Sequence, residues 1–307
     1  MTDQERADWL KARRSFIGAS DAAAVAGLTP WATPLQVYLD KLGLLPEQPM
    51  TMPQKLGLKM ESVIAELYEE ATGNSLAIPA SLMRHPGTPW IGANPDRVTL
   101  QGNLNVQIKT CGFRTDEWGD VGSDEIPAHY NVQVQHEMYV LGPDWKVTHL
   151  AALFLQNREF CYYIIPRSDA MIENLVQIET DFWHDHVEAH VPPDPSWGHP
   201  STPDLVKRLY SGVDPAQIRT VSDGDLPTIE ILCQAYKDAG EALSGAKDHR
   251  DNVKAKLLYQ MGDAAVLQAG EYTLTRKEVE RKAYMVEAAK YIDFRVKSAK
   301  KSTKEAQ

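Results

Sequence analysis

Two neighbouring segments constrain this chain most: Gly92-Ala-Asn-Pro-Asp-Arg-Val98 and Asn105-Val-Gln-Ile-Lys-Thr110. Both read as β-strands separated by a short polar turn. Alternate side chains of a strand share a face, so Gln107 and Lys109 point the same way. Val98, Val106 and Ile108 make the pair read as buried. A glutamine and a lysine on a buried strand cost free energy unless they line a site. Pro95 precedes Asp96, and its fixed φ would hold that carboxylate at a defined strand end. Taken alone, these three polar residues equally describe a polar hairpin with an exposed lysine.

The surrounding pattern is α/β. A helix is expected before a turn at Ser15–Gly18, and another from Ser20-Asp21, with Ser20 as its N-cap. Thr33 caps a helix through about Lys41, with Pro34 at its first position and Gly43 as its stop. Residues 57–72 form a helix with Met60, Ile64, Leu67, Tyr68 and Ala71 on one face. Strands follow at 83–85, 90–92, 97–100 and 106–109, then a helix over 127–140. A hairpin spans 148–155 and 160–165, and a helix covers 170–188. The order α-β-β-β-α-β-β-α implies a central mixed β-sheet flanked by helices, an α/β (α+β) core. Residues 1–195 are expected to form this core, and the Pro-rich 196–225 a linker or wrap-around segment. Residues 226–292 read as a mainly helical extension with a small hairpin near Ala269-Gly-Glu, and 293–307 as a basic, disordered tail.

Three further groups stand out. Glu61 shares a helix face with Gly57 and Ile64, although Glu66, Glu69 and Glu70 on the same helix read as solvated charges. Gly57 would allow that helix a close approach to its neighbour. Within Gln133-Val-Gln-His-Glu-Met-Tyr139, Tyr130 and Gln133, and Gln135 and Tyr139, lie at spacings that share a helix face. Amides there can bind a phosphate or a water, or merely form a polar rim. Arg13, seven residues before Ser20, suits an anion site, since an Arg fork and a helix N-terminus both favour negative charge. The bland reading is an N-cap beside a surface arginine.

Composition excludes little. A net charge of −10 argues against a general nucleic-acid coat, but not against an enzyme whose cations line one channel. No apolar run reaches membrane-spanning length, and the N-terminal residues do not read as a signal peptide. Cys111, Cys161 and Cys233 are odd in number and widely spaced, which suggests a reduced, cytosolic protein. The histidines show no zinc-like spacing, and no P-loop, dinucleotide fingerprint or nucleophile elbow occurs.

Taken in order, Arg13…Ile17-Gly-Ala-Ser20-Asp, Gly57-x3-Glu61, Asn94-Pro-Asp96, Gln107-Ile-Lys109 and Tyr130-x2-Gln133-Val-Gln135 resemble the viral-recombinase branch of the PD-(D/E)XK nucleases. This is the YqaJ group, which includes phage lambda exonuclease. The resemblance runs from about Trp9 to Leu155, and the segment after residue 220 resembles the C-terminal extension of some phage members. It implies a restriction-endonuclease-like core and a 5′-to-3′ exonuclease on duplex DNA ends, producing 3′ overhangs for a single-strand annealing protein. It implies Mg²⁺, with Mn²⁺ as a substitute, held by Asp96, Gln107 and the Ile108 carbonyl, with Glu61 beside them. Lys109 would assist the attacking water. Arg13 and Ser20, with Asn94, Gln133, Gln135 and Tyr139, would contact the 5′-phosphate and the DNA. A ring-shaped homotrimer in a bacterial cytoplasm, of phage or prophage origin, belongs to the same expectation.

The departure is Gln107, where the family pattern has a carboxylate. An amide oxygen in place of an anion weakens a site built for a hard cation. One explanation is a branch that works with Gln-x-Lys. The other is a DNA-end-binding or partner-recruiting protein with little cleavage. A structure-specific endonuclease on the same fold, or an unrelated α/β protein, are further alternatives.

Overall fold

The computed structural model describes residues 11–46, 48–79, 82–100, 104–280 and 294–296. The chain divides into two compact units, residues 1–210 and 211–307. Trp9 and most of the basic tail, residues 297–307, lie outside the described residues.

The first unit holds two mixed sheets. Its five-stranded sheet runs β2 (Leu76–Ala77), β5 (Arg97–Thr99), β6 (Leu104–Cys111), β7 (Val147–Phe154), β8 (Glu159–Pro166). β6 and β7 are parallel over eight residue pairs, from Leu104 with Val147 to Cys111 with Phe154. A parallel pair needs a crossover, and α4 (Ala128–Leu141) lies within it. Val106, Ile108 and Ala151 pack on one side against Ile64, Ala65 and Tyr68 of α3 (Met52–Thr72). Leu150, Ala152 and Phe154 face the other side, where Val134 of α4 covers them. Gln107 and Lys109 are in register with Leu150 and Ala152, so both side chains fall on the α4 side. The expected sharing of a face is therefore met, and α4 is what that face meets.

The second sheet has three strands in the order β1 (Ile17–Gly18), β4 (Thr88–Ala93), β3 (Met83–His85). β1 runs parallel to β4, pairing Ile17 with Ile91 and Gly18 with Gly92. A two-residue strand carries no periodicity, which is why the sequence reads this stretch as a turn. Gly92 is required by close approach: a Cβ there would sit 2.6 Å from the Phe16 ring and 2.8 Å from the Met83 carbonyl oxygen.

Several boundaries differ from the sequence reading. α1 (Ala19–Val25) has Gly18 as its N-cap, not Ser20. The Asp21 side chain reaches back to the Gly18 N–H at 3.0 Å, which places the first turn two residues earlier. α2 (Pro34–Lys41) follows its Thr33 cap as expected. α3 begins at Met52 rather than near Gly57, because Thr51 and Gln54 exchange hydrogen bonds across its first turn. Gly57 makes no close approach; a Cβ there would meet nothing within 4 Å. The helix expected over 170–188 is α5 (Asp169–Phe182), continued by a wider π-helical turn at Trp183–Glu188. Beyond it, His199 Nε2 bonds to the Thr29 carbonyl at 2.8 Å, and Arg208 of α6 (Thr202–Leu209) bonds to the Pro46 carbonyl. In the second unit, α7 (Leu226–Met261) precedes an antiparallel pair, β9 (Val266–Ala269) and β10 (Tyr272–Thr275), turned at Gly270.

One buried relay fixes β4 against the helices. His136 of α4 bonds through Nε2 to the Gly92 carbonyl at 2.8 Å and through Nδ1 to Glu179 of α5 at 2.7 Å. Burial alone would lower the imidazole pKa, but the Glu179 carboxylate outweighs it and holds the value above the ordinary 6.5. A raised histidine stabilises the fold fully below pH 6.5, and that contribution is lost as pH rises through the folded-state value. Glu179→Ala is expected to cost about 3–5 kcal/mol in urea unfolding, because it leaves a buried imidazole without its counter-charge. It should also flatten the decline of stability above pH 6.5; an unchanged pH profile would reject the relay as its source.

Candidate active site

The chain crosses from one sheet to the other through Asn94-Pro95-Asp96, between β4 and β5. β5 pairs with β6 only at Arg97–Val106 and Val98–Asn105. Past Val106, among the described residues, no strand pairs with that edge of β6, and the Asp96 side chain takes the place: Oδ2 accepts the Ile108 N–H at 2.8 Å. The N–H and C=O of one extended residue point to the same edge, so the Ile108 carbonyl also opens toward Asp96.

A pocket of about 200 Å³ lies here. Arg13, Gly18, Ala19 and Ser20 form one wall; Asn94, Asp96, Gln107, Gln133 and Glu137 form the other. The first wall is cationic and braced from below. Arg13 donates to Ser20 Oγ at 2.7 Å and lies 3.6 Å from Asp21. Asp21 in turn accepts from the buried Lys41 at 2.6 Å, and Lys41 also donates to the Arg13 carbonyl at 3.1 Å. Burial alone would raise the Asp21 pKa, but Lys41 and Arg13 together hold it down at about 2. Asp21 is therefore a fixed anion that positions Arg13 at the pocket.

The second wall is acidic. Burial raises the Asp96 pKa and nearby Glu61 adds to it, while Lys109 and the Ile108 N–H oppose them. Glu137 is 1% exposed. Burial, then the charge on Asp96, push its carboxyl up to about 7, against the hydrogen bonds from Asn105 and Gln133 and the charge of Lys109. Lys109 Nζ donates to Gln133 Oε1 at 2.8 Å and stands 5.2 Å from the Tyr130 ring centroid. Gln107 is 3% exposed, and its Oε1 has no hydrogen-bond partner.

Of the residues expected from sequence, Arg13, Ser20, Asn94, Asp96, Gln107 and Gln133 converge on this pocket, with Lys109 bound to Gln133. Ile108 contributes its backbone. Glu61 stands apart from the pocket walls: Arg97 Nη1 claims its carboxylate in an ion pair. Gln135 is turned away, bonding to Asn131, the Pro166 carbonyl and the Ser168 N–H, where it ties α4 to the start of α5. Tyr139 likewise faces elsewhere, stacked on His85 at 4.1 Å and bonded to Thr88. Their shared helix face was legible; its neighbour was not. Glu137, Asp21, Lys41 and Asn105 were missed as site residues. Glu137 carried one signal, its i, i+4 spacing from Gln133.

The donor set bears on a metal. Among the described residues no three His, Cys, Asp or Glu side chains gather as a metal cluster. What the pocket offers is two carboxylates and a buried amide oxygen with no partner. Mg²⁺ characteristically takes one or two carboxylates and completes its shell with water and substrate phosphate oxygens, so these residues fit it.

Residues 8–144 match the model of the YqaJ-like viral recombinase domain. The Bacillus subtilis (strain 168) protein YqaJ is 29% identical over 280 residues, which cover 91% of this chain and 85% of that one. A protein of Acanthamoeba polyphaga mimivirus is 28% identical over 155 residues, 46% of this chain and 28% of that protein. Among solved structures, an alkaline exonuclease from Laribacter hongkongensis superposes with a TM-score of 0.47 at 21% identity, covering 60% of this chain and 93% of that chain. A phage-related exonuclease from Haemophilus somnus 129PT gives a TM-score of 0.44 at 13% identity, over 57% of this chain and 96% of that one. Residues 8–144 thus resemble the YqaJ-like viral recombinase domain, and the likeness to the Bacillus subtilis protein extends over 91% of the chain.

Proposed function

We propose that this protein is a Mg²⁺-dependent exonuclease that digests one strand of duplex DNA from its 5′ end. The observation that carries the reading is the lining of one pocket of about 200 Å³: an arginine and a serine together with a half-buried aspartate and a glutamine whose amide oxygen has no partner. A phosphodiester at a DNA end needs both walls, one to grip a phosphate and one to promote attack at phosphorus.

In this reading Arg13 and Ser20, with Asn94, hold the terminal phosphate, and Asp21 and Lys41 keep Arg13 in place. Asp96, Gln107 Oε1 and the Ile108 carbonyl would hold Mg²⁺ or Mn²⁺, which supplies charge to stabilise the phosphoryl transition state when bound. Lys109, steadied by Gln133, orients the attacking water and offers positive charge to the oxygens of the transition state. Glu61, locked to Arg97, would act on the site from a distance, through its charge on Asp96. The family resemblance extends the proposal to recombination, with a single-strand annealing protein receiving the 3′ overhang and with a homotrimer encircling DNA. Gln107 favours one second reading, a protein that binds DNA ends with little turnover, since a neutral ligand lowers metal affinity.

Linear 5′-phosphorylated duplex should disappear with Mg²⁺ or Mn²⁺, while closed circular DNA survives. Lys109→Ala should slow this by about 10²–10⁴-fold. Binding of linear DNA without loss of either substrate would instead select the end-binding reading. Arg13→Ala should cut the preference for 5′-phosphorylated over 5′-hydroxyl ends by roughly 10–100-fold, the value of a charge-assisted hydrogen bond to phosphate. An unchanged preference in steady-state rates would remove Arg13 from that role.

A further inference from the structure

We infer that Glu137 is the carboxylate this site uses in place of the one missing at Gln107: the second acidic ligand comes from helix α4, not from strand β6. The inference rests on the metal-dependent reading above and assigns its ligands.

The geometry leads there in three steps. First, Gln107 fills a ligand position without charge. Its Oε1 is buried without a hydrogen-bond partner, in a residue that lines the pocket. Such an orphaned oxygen costs free energy unless a ligand or cation meets it. Second, Glu137 lies in the same pocket as Asp96 and Gln107 and is fully buried. Two carboxylates lining one pocket repel each other, and that cost is relieved when a cation sits between them. Third, the Glu137 carboxylate is aimed rather than loose. Asn105, two residues before Gln107 on the same strand face, donates to Oε2 at 2.7 Å, and Gln133 donates to Oε1 at 3.2 Å. Each carboxylate oxygen has a second lone pair, which leaves both able to ligate.

The competing acid is Glu61. Its carboxylate is paired with Arg97, which also donates to the Asp96 carbonyl oxygen at 2.6 Å. An acid already neutralised by an arginine is a poor partner for a divalent cation, and Glu61 is not on the pocket wall. Glu137 is held by neutral amides, which orient it without cancelling its charge.

The test is Mn²⁺ binding to the full-length chain, followed by the loss of the free Mn²⁺ signal in electron paramagnetic resonance. It is run with and without a duplex blocked by terminal phosphorothioates. Glu137→Gln should weaken Mn²⁺ by tenfold or more, which is about 1.4 kcal/mol. Glu61→Gln should change it less than threefold. Gln107→Glu combined with Glu137→Gln should recover most of the lost affinity by returning the charge to the strand. Melting of the metal-free variants separates a folding defect from ligand loss. Glu137→Gln binding Mn²⁺ as tightly as the parent overturns the inference and leaves the nuclease reading standing. So does a loss that Gln107→Glu fails to restore, since that marks Glu137 as structural. A parent protein that binds no Mn²⁺ in either condition overturns the inference and the metal-dependent reading together.

Discussion

The site depends on the hydrogen bond from the Ile108 N–H to the Asp96 carboxylate. It forms where β5 has stopped pairing with β6, so an acid fills the position of an absent strand. This one contact joins the passage between the two sheets to the central strand. It also draws Asp96 into a low-dielectric corner, where the carboxylate is harder to ionise than in water. The His136 relay serves the same end from the other side, since it anchors Gly92 four residues before Asp96. Phe16 presses on that glycine, which carries β1 and Arg13 into register with the acidic wall.

Charge is then distributed unevenly. On one wall Asp21 is fully compensated, by Lys41 and Arg13, and remains ionised at any moderate pH. On the other, Asp96 and Glu137 share Lys109 and a few neutral donors. The first arrangement is a brace. The second is a deficit of positive charge, which the proposed cation would offset. Gln107 belongs to this balance: a third carboxylate in the same corner would deepen the repulsion, whereas an amide supplies an oxygen without charge.

Much of the fold was legible along the chain because its cues are local. Thr33-Pro34 and Gly43 bounded α2, and the hairpin of β7 and β8 followed from alternating apolar residues around Gln156-Asn-Arg. The elements misjudged were those set by contacts rather than composition. β1 has two residues and exists because β4 lies beside it. The start of α1 moved because Asp21 reached back to Gly18. Gln135 is an amide on a packed helix, but besides the nearby Asn131 its partners are the backbone of Pro166 and Ser168, more than thirty residues away.

By itself the sequence determined which side chains travel together. A strand repeats every two residues, so Gln107 and Lys109 had to share a face. A helix repeats near 3.6, so Gln133 and Glu137 had to share another. What tertiary structure alone decided was which acid lines the pocket with Asp96. Glu61 and Glu137 both precede or follow the strand pair on helices, and nothing in their local sequence ranks them. The ranking came when α4 settled on the Gln107 face and α3 on the opposite one, where Arg97 took Glu61. Periodicity assigns a side chain to a face; the identity of the opposing surface is a long-range fact that packing must supply.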